Sequence, residues 1–362
     1  MAIPLFDPTT PLAPLRARLD EALLGVLDDG RFILGPNVAE FESELAEFVG
    51  ARHAIGVANG TEALTIALRA LGVGPGDEVV VPSFTFYASA EAIPPTGATP
   101  VFCDIDPGTF LVTPETVRAA LTPRTKAVIA VHLFGNVAQV PEIAALGVPV
   151  IEDAAQAAGS IGPDGRPGAL GALATFSFYP SKNLGCLGDG GAITAGDDEL
   201  AERVRTLRFH GSRDKVSYEE VGYNSRLDEL QAAALRVMLP ELEHWAAHRH
   251  VVGAWYEEAG LGELAALPQP TPGSAPAWHL YVVRHERADE LQAALAQAGV
   301  EARGYYRTPV HRQPAMREWG AGADLPATDE AARTHLAIPV SASITREQVE
   351  EVVGAVRAAG LS

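Results

Sequence analysis

The chain has 362 residues, which is enough for one large domain and one smaller one. Of its residues 47% are hydrophobic and 20% are charged, a composition typical of a soluble globular protein. Its formal net charge of -19 argues against nucleic-acid partners and against docking on anionic membranes, because both depend on basic residues. A phosphate-bearing ligand remains compatible with this charge if backbone dipoles and a few local cations hold it.

The two cysteines, Cys103 and Cys186, lie far apart in the sequence and fit no disulfide framework or zinc pattern. We therefore expect reduced cysteines and no metal site. The chain starts without a basic segment followed by an apolar one, and no apolar run is long enough to span a bilayer. These features predict a soluble, cytoplasmic protein.

The first 14 residues are rich in proline and are predicted to form an arm on the surface. Two amphipathic helices are predicted next, because apolar residues recur at helical spacing. The first carries Leu15, Leu19, Leu23 and Val26 on one face; the second carries Val38, Phe41, Leu45 and Phe48 and ends at a glycine cap, Gly50.

Short apolar runs separated by helical stretches follow. They lie at residues 54–58, 78–81, 100–104, 127–133, 148–152, 174–178 and 191–194. Apolar runs with little alternation, joined by helices, indicate an α/β fold with a parallel sheet that is buried on both faces.

A long helix is predicted from Leu227 towards Pro240, with Leu230, Ala234 and Met238 on the same face. It is expected to link two domains. Beyond it, a strand near 279–284 and helices at 287–298 and 346–359 indicate a smaller α+β unit. The predicted organisation is an arm at 1–14, a large domain at 15–240 and a small domain at 241–362.

Three segments carry chemistry. The first, 151–156, is an apolar strand that ends in Glu152 and Asp153, which places a carboxylate at the ligand-binding edge of a parallel sheet. On this fragment alone, an aspartate at this position is more commonly a helix N-cap. The fragment alone leaves both interpretations open.

The second segment, 176–185, places Lys182 just after a buried strand, with aromatic residues before it and glycines after it. Such surroundings desolvate an amine and lower its pKa, as a Schiff-base lysine requires. The alternative is an ordinary solvated lysine on a loop.

The third segment, 58–64, places Gly60 and Thr61 at a strand-to-helix junction. Their backbone N–H groups suit a phosphate, although a plain helix cap would use the same residues. By contrast, the glycines at 72–76 enclose a proline and precede no helix, which disfavours a nicotinamide-dependent dehydrogenase. An acid, a lysine and a phosphate cradle are together the parts that a pyridoxal 5′-phosphate site needs.

Seven segments of the chain, taken in order, resemble the sugar-nucleotide aminotransferases of the DegT/StrS type, which belong to the fold-type-I (aspartate aminotransferase-like) superfamily. These segments are 59–64, 82–86, 131–136, 152–156, 177–182, 188–192 and 224–231. The resemblance extends from Phe32 to the final helix. It implies a large domain with a mostly parallel seven-stranded sheet, and a smaller C-terminal α+β domain.

The resemblance also implies the cofactor, pyridoxal 5′-phosphate, and a role for each site residue. Lys182 would be the Schiff-base lysine and proton shuttle, and Asp153 would pair with the pyridine nitrogen. The other implied cofactor contacts are Phe86 on the ring, Gln156 near the ring hydroxyl, and Gly60, Thr61 and Ser177 at the phosphate.

The resemblance further implies a homodimer in which Asn224 reaches the phosphate of the neighbouring subunit's cofactor. Tyr306, His311 and Arg226 would contact the substrate. Exposed polar residues on loops are also commonly just solvated.

The predicted function is transamination of a keto sugar linked to thymidine or uridine diphosphate, with L-glutamate as the amino donor. Residues 179–186 and 224–226 favour a 3-keto over a 4-keto sugar, by family analogy alone. One alternative is a non-catalytic regulator that keeps the fold. The other is a sugar dehydratase; relatives with that activity carry histidine where Lys182 stands.

Overall fold

The computed structural model describes residues 2–361. Seven strands form one sheet: β1 (His53–Val57), β2 (Glu78–Pro82), β3 (Thr99–Cys103), β4 (Thr125–Val131), β5 (Val150–Asp153), β6 (Leu173–Ser177) and β7 (Gly191–Ala195). Their spatial order is β1, β7, β6, β5, β4, β2, β3. Strand β7 is antiparallel to both of its neighbours, and every other neighbouring pair is parallel. Each predicted apolar run overlaps one of these strands, so the mostly parallel seven-stranded sheet is confirmed.

Helices cover both faces of this sheet. The helices of this part of the chain are α1 (Arg16–Asp29), α2 (Pro36–Val49), α3 (Gly60–Ala70), α4 (Ala88–Glu91), α5 (Pro114–Ala120), α6 (Val140–Ala144), α7 (Asp198–Arg208) and α8 (Glu229–Met238). Helix α9 (Leu242–Glu258) follows, and its Val252 and Tyr256 lie in the apolar core of the C-terminal part. Residues 127–131 of β4 are all buried, which explains why this strand reads as a continuous apolar run rather than an alternating one. Gly50 ends α2 with a left-handed φ of 80°, as the sequence predicted.

The helix predicted from Leu227 towards Pro240 corresponds to α8, which begins at Glu229. Helix α8 ends at Met238, a 3-10 turn spans Leu239–Glu241, and α9 continues from Leu242. Pro240 lies inside that turn. A proline lacks the amide hydrogen that a helix interior requires, so the division falls where the sequence places it.

The C-terminal part contains a second, two-stranded antiparallel sheet of β8 (Tyr281–Arg284) and β9 (His335–Ile338). Its helices are α10 (Ala288–Gln297), α11 (Arg317–Gly320), α12 (Pro326–Thr334) and α13 (Arg346–Ala358). Further 3-10 turns occur at Thr10–Leu15, Pro94–Thr96, Leu133–Gly135, Leu261–Glu263, Val310–Arg312 and Pro314–Met316. The helices at 287–298 and 346–359 were predicted, whereas β9 and α12 were not. The division into domains at residue 240 stays a prediction.

The N-terminal arm is more buried than its composition suggested. Ile3 pairs with Val300, and its amide donates to the Gly299 carbonyl at 2.9 Å. The Ile3 side chain belongs to the apolar core that β8, β9 and α13 share. Cys103 and Cys186 are both buried, and neither forms a disulfide. No helix among residues 2–361 is long and apolar enough to cross a membrane.

A buried carboxylate joins α2 to α8. Glu229 is 1% exposed, and its two oxygens accept four hydrogen bonds: from the amides of Gly35, Asn37 and Val38 and from the Asn37 side chain, at 2.7–3.0 Å. The first turn of a helix leaves amide hydrogens without intrahelical acceptors. Glu229 satisfies those of α2 from another helix and so fixes the loop at 32–35.

Replacing Glu229 with glutamine is expected to lower the free energy of unfolding by about 2 kcal/mol, because the new NH₂ group faces donors that lose their acceptor. Glu47 lies exposed on α2, the helix whose first turn Glu229 contacts, so Glu47→Gln is the control and should change the free energy by less than about 0.5 kcal/mol. Urea unfolding measures both. Equal midpoints for the two variants would contradict this account of Glu229.

Candidate active site

Parallel strands bring three side chains to one edge of the sheet. Val131, Asp153 and Ser177 are the last residues of β4, β5 and β6. Ligands of open α/β sheets bind at this carboxyl edge. A cavity of about 630 Å³ lies there, and residues just before β8 and in the loop that follows α10 close it from the C-terminal part.

Eight of the predicted site residues line this cavity together: Gly60, Thr61, Phe86, Asp153, Gln156, Ser177, Lys182 and Tyr306. They come from segments spread over most of the chain. Asn224, Arg226 and His311 do not line it. The roles that the resemblance implies for all of these residues remain predictions.

Lys182 lies in a tight turn after β6, where its amide donates to the Tyr179 carbonyl at 2.8 Å. Burial lowers the pKa of the Lys182 amine to about 8, although the nearby Asp153 carboxylate acts to raise it. Because burial favours the neutral form, the fraction of this lysine that is a nucleophilic amine near neutral pH is far larger than for a lysine with the ordinary pKa of 10.5.

The reaction of cofactor-free protein with an aromatic aldehyde is therefore expected to follow this pKa. The rate should rise with pH and reach half of its maximum at about pH 8, because only the unprotonated amine attacks a carbonyl. Rapid-mixing absorbance measurements on both sides of that pH give the midpoint. A midpoint near the ordinary lysine pKa of 10.5 would contradict the desolvated setting.

Asp153 is 6% exposed, and its carboxylate is held on both oxygens. The Ser89 hydroxyl in α4 donates to Oδ2 at 2.8 Å, and the Ala155 amide donates to Oδ1 at 3.2 Å. The Ser89 oxygen also lies 3.0 Å from the Thr85 hydroxyl. These contacts fix the orientation of a carboxylate that faces the cavity.

The start of α3 presents free amides. Asn59 caps the helix by accepting the Glu62 amide at 2.9 Å, whereas the amides of Gly60 and Thr61 donate to no acceptor within residues 2–361. A Cβ atom on Gly60 would lie 2.7 Å from the Ser177 Cβ. Helix and strand therefore approach so closely that only glycine fits, and two unused amides face the cavity beside a serine. This arrangement suits a phosphate.

Gly60→Ala is accordingly expected to weaken binding of pyridoxal phosphate by about 100-fold, since the methyl group displaces Ser177 and distorts the cradle. Nothing lies within 4 Å of a Cβ placed on Gly74, so Gly74→Ala is the control and should bind normally. Titrating each cofactor-free protein with the cofactor compares them. If Gly60→Ala bound the cofactor with unchanged affinity, the phosphate would not be bound at this end of the cavity.

Gln156 has a defined orientation. Its Oε1 accepts the Phe134 amide at 2.7 Å, and its Nε2 donates to the Tyr306 hydroxyl at 3.1 Å. The Phe86 ring centroid lies 5.9 Å from that of Tyr306, and Phe86 is 52% exposed. Burial raises the pKa of Tyr306, so the phenol keeps its proton.

Two further residues, Ser89 and His279, line the same cavity as the predicted residues, although no sequence motif indicated them. Ser89 holds Asp153. His279 lines the cavity, is 4% exposed, and has its pKa lowered well below the ordinary value by burial and by the charges of Lys182 and Arg249. A neutral imidazole thus faces the cavity.

The three predicted residues outside the cavity have other surroundings. Asn224 is exposed, and its backbone forms an isolated antiparallel β-bridge with Phe209. Arg226 is half-buried. His311 is 5% exposed; its amide donates to the Ser83 oxygen at 3.1 Å, and the same oxygen lies 2.6 Å from its Nδ1.

The model of the DegT/DnrJ/EryC1/StrS aminotransferase family matches residues 15–357. The chain is 45% identical to the dTDP-3-amino-3,4,6-trideoxy-alpha-D-glucose transaminase of Streptomyces venezuelae, over 98% of this chain and 95% of that protein. It is 44% identical to a pleiotropic regulatory protein of Geobacillus stearothermophilus, over 98% and 97%. It is 42% identical to the UDP-N-acetyl-3-dehydro-alpha-D-glucosamine 3-aminotransferase of Acidithiobacillus ferrooxidans, over 98% and 97%.

Solved structures share the fold. S. venezuelae DesV superimposes with a TM-score of 0.95 at 44% identity, covering 99% of this chain and 98% of that one. NtdA of Bacillus subtilis, solved with the cofactor PMP, superimposes with a TM-score of 0.88 at 30% identity, covering 96% and 82%.

Proposed function

The chain belongs to the DegT/DnrJ/EryC1/StrS aminotransferase family, and we propose that it moves an amino group from L-glutamate to a nucleotide-linked 3-keto sugar with pyridoxal 5′-phosphate as cofactor. The observation that carries this proposal is the convergence of Lys182, Asp153 and the free amides of Gly60 and Thr61 on one cavity.

The residues present fit the cofactor. Unused amides at a helix N-terminus, next to Ser177, suit its phosphate. Asp153, held by Ser89, suits a protonated pyridine nitrogen, and Gln156 presents an amide hydrogen near Tyr306 for the ring hydroxyl. The half-exposed ring of Phe86 suits stacking on the cofactor ring.

When bound, the cofactor supplies a carbonyl that takes up the amino group and a ring that accepts electrons from the substrate carbon. The protein holds and moves the protons. The Lys182 amine has a pKa of about 8, so it both attacks a carbonyl and accepts a proton from the carbon that carries the amino group. The Asp153 carboxylate holds a proton on the ring nitrogen and so favours electron acceptance.

The substrate side of the proposal draws on the printed names of the relatives. The S. venezuelae protein is named for a 3-amino sugar carried by dTDP, and the A. ferrooxidans protein for a 3-dehydro sugar carried by UDP. Both support amination at the 3-position. Tyr306 lines the cavity, and Tyr306 and His311 are the proposed contacts for the sugar or the diphosphate. Arg226 of the partner subunit is the proposed contact for an anionic group of the substrate.

A two-fold dimer completes the site in this proposal, with Asn224 of one subunit at the cofactor phosphate of the other. Exposed apolar side chains near the cavity and on the loop before Asn224 support an interface here: Phe86, Tyr179, Leu187, Val216, Tyr218 and Val221. Light scattering of the purified protein should give twice the chain mass; a monomer with full activity would contradict shared sites.

A non-catalytic regulator is the second candidate, because one relative is named a pleiotropic regulatory protein. The presence of both Lys182 and Asp153 in the cavity favours the enzyme. Lys182 also disfavours a sugar dehydratase, which would carry histidine at this position.

The direct test incubates the holoenzyme with L-glutamate and either a 3-keto or a 4-keto sugar linked to dTDP or UDP. Mass spectrometry should show replacement of the keto oxygen by an amino group in the 3-keto sugar, together with 2-oxoglutarate. Amination of the 4-keto sugar alone would overturn the proposed position. No product with any acceptor, despite bound cofactor, would favour the regulator.

A further inference from the structure

We infer that His132 and Glu152, neither of which lines the cavity, are positioning residues that set the orientation of Gln156 and His279 on the cavity wall. The inference deepens the proposed function and depends on it for the placement of Gln156 beside the cofactor ring.

The network starts from a pair with no solvent contact. His132 and Glu152 are both 0% exposed, and His132 Nε2 lies 2.9 Å from Glu152 Oε2. His132 Nδ1 accepts the Ala138 amide at 3.0 Å. The ring proton therefore resides on Nε2, which donates to Glu152.

Glu152 accepts three more hydrogen bonds, from the amides of Gly168, Leu170 and Gly171 at 2.8–3.0 Å. The carboxylate thus accepts four hydrogen bonds, which satisfy both of its oxygens. Neighbouring strand residues point to opposite faces of a sheet. The Glu152 side chain therefore lies on the face of β5 opposite to that of Asp153, which lines the cavity.

His132 opens a turn at 133–136 whose backbone is unusual. Phe134 has a φ of 60° and Gly135 a φ of 95°, and a Cβ on Gly135 would lie 2.9 Å from the amide nitrogens of Trp278 and His279. Left-handed conformations at a non-glycine residue persist only where the surroundings enforce them. The hydrogen bonds of His132 to Glu152 and Ala138 brace this turn at both ends.

The turn carries two contacts to the cavity wall. The Phe134 amide donates to Gln156 Oε1 at 2.7 Å, and the Phe134 carbonyl accepts the His279 amide at 2.8 Å. Because Oε1 is occupied, Gln156 must present its NH₂ group to Tyr306 and to the cavity. If the turn relaxes, the amide can rotate and present an acceptor where the site needs a donor.

Two substitutions remove hydrogen bonds of this network while nearly keeping the size of the side chain. Glu152→Gln keeps the shape but places an NH₂ group against donors that need an acceptor. His132→Phe keeps the ring and removes both nitrogens, which frees the turn from Glu152 and Ala138. Either variant lowers stability, so loss of activity alone does not distinguish positioning from general destabilisation.

Glu229→Gln is the matched control. Glu229 is also a buried carboxylate with four hydrogen bonds, but it lies against α2 and does not line the cavity. It should lower stability to a similar extent without altering Gln156. Differences between Glu152→Gln and Glu229→Gln therefore report on positioning.

The experiment is a pH titration of the near-visible absorbance band of the lysine-bound cofactor. Gln156 Nε2 stabilises negative charge on the ring oxygen, so its loss should raise the apparent pKa of this band by about one unit in Glu152→Gln and His132→Phe. In both variants kcat should fall by about 10- to 100-fold with little change in KM. Glu229→Gln should titrate like the wild type.

The outcomes are distinct. A wild-type protein that forms no such band would overturn the proposed function itself. A normal band in the wild type, with the same apparent pKa in Glu152→Gln, His132→Phe and Glu229→Gln, would leave the proposed function standing and overturn the positioning role. Gln156→Ala should reproduce the pKa change, and failure to do so would also overturn it.

Discussion

Replacing Lys182 with alanine is expected to lower kcat by at least about 10⁴-fold, the size of loss seen when a nucleophile that also moves protons is removed. Lys182 supplies the amine with a pKa of about 8 inside the cavity. Cofactor should still bind to the variant without a covalent bond, because the cradle at Gly60 and Thr61 is intact. Steady-state kinetics and absorbance spectra measure both effects.

The chain offers a clear control, because it contains only three lysines, at 126, 182 and 215. Lys126 is exposed on β4, so Lys126→Ala should react normally. Borohydride reduction followed by peptide mass spectrometry should place the cofactor on Lys182 in the wild type and on no lysine in Lys182→Ala. Near-normal turnover in Lys182→Ala would refute the assignment.

Asp153→Asn is expected to lower kcat by about 10³-fold, because an amide cannot hold a proton on the ring nitrogen as a carboxylate does. The same variant also tests the effect of the Asp153 charge on the pKa of Lys182. Asp153 acts to raise the pKa of Lys182, so its neutralisation should move the pH midpoint for reaction with an aldehyde below about 8.

Ser89→Ala is the graded comparison for this prediction. It removes one hydrogen bond to Asp153 and keeps the charge, so kcat should fall only about tenfold. If Asp153→Asn and Ser89→Ala had equal effects, orientation rather than charge would explain the role of Asp153.

Local patterns were sufficient for most of the large sheet. The strands are continuous apolar runs, and helix ends carry residues with one physical use, such as Gly50 at a left-handed cap. Strand β9 escaped prediction because its four residues, His335–Ile338, give too short a pattern to distinguish from a loop. The burial of Ile3 against Val300 depends on partners that only the folded chain brings together.

The same distinction applies to the site. Lys182, Asp153 and Gly60 each sit in a segment whose residues fit the chemistry, so sequence and resemblance located them. Ser89 and His279 are an ordinary serine in a short helix and a histidine before a strand. Their importance lies in the contact of Ser89 with Asp153 and in the burial of His279, which no local pattern encodes.

The measurement that tests the central claim most directly is the absorbance spectrum of the purified protein before and after addition of L-glutamate. We expect a near-visible band from cofactor held on Lys182, and its replacement by the near-ultraviolet band of pyridoxamine phosphate once the amino group has been transferred. A protein that shows no near-visible band even after incubation with pyridoxal phosphate, or a band that L-glutamate and other amino acids leave unchanged, would contradict the account.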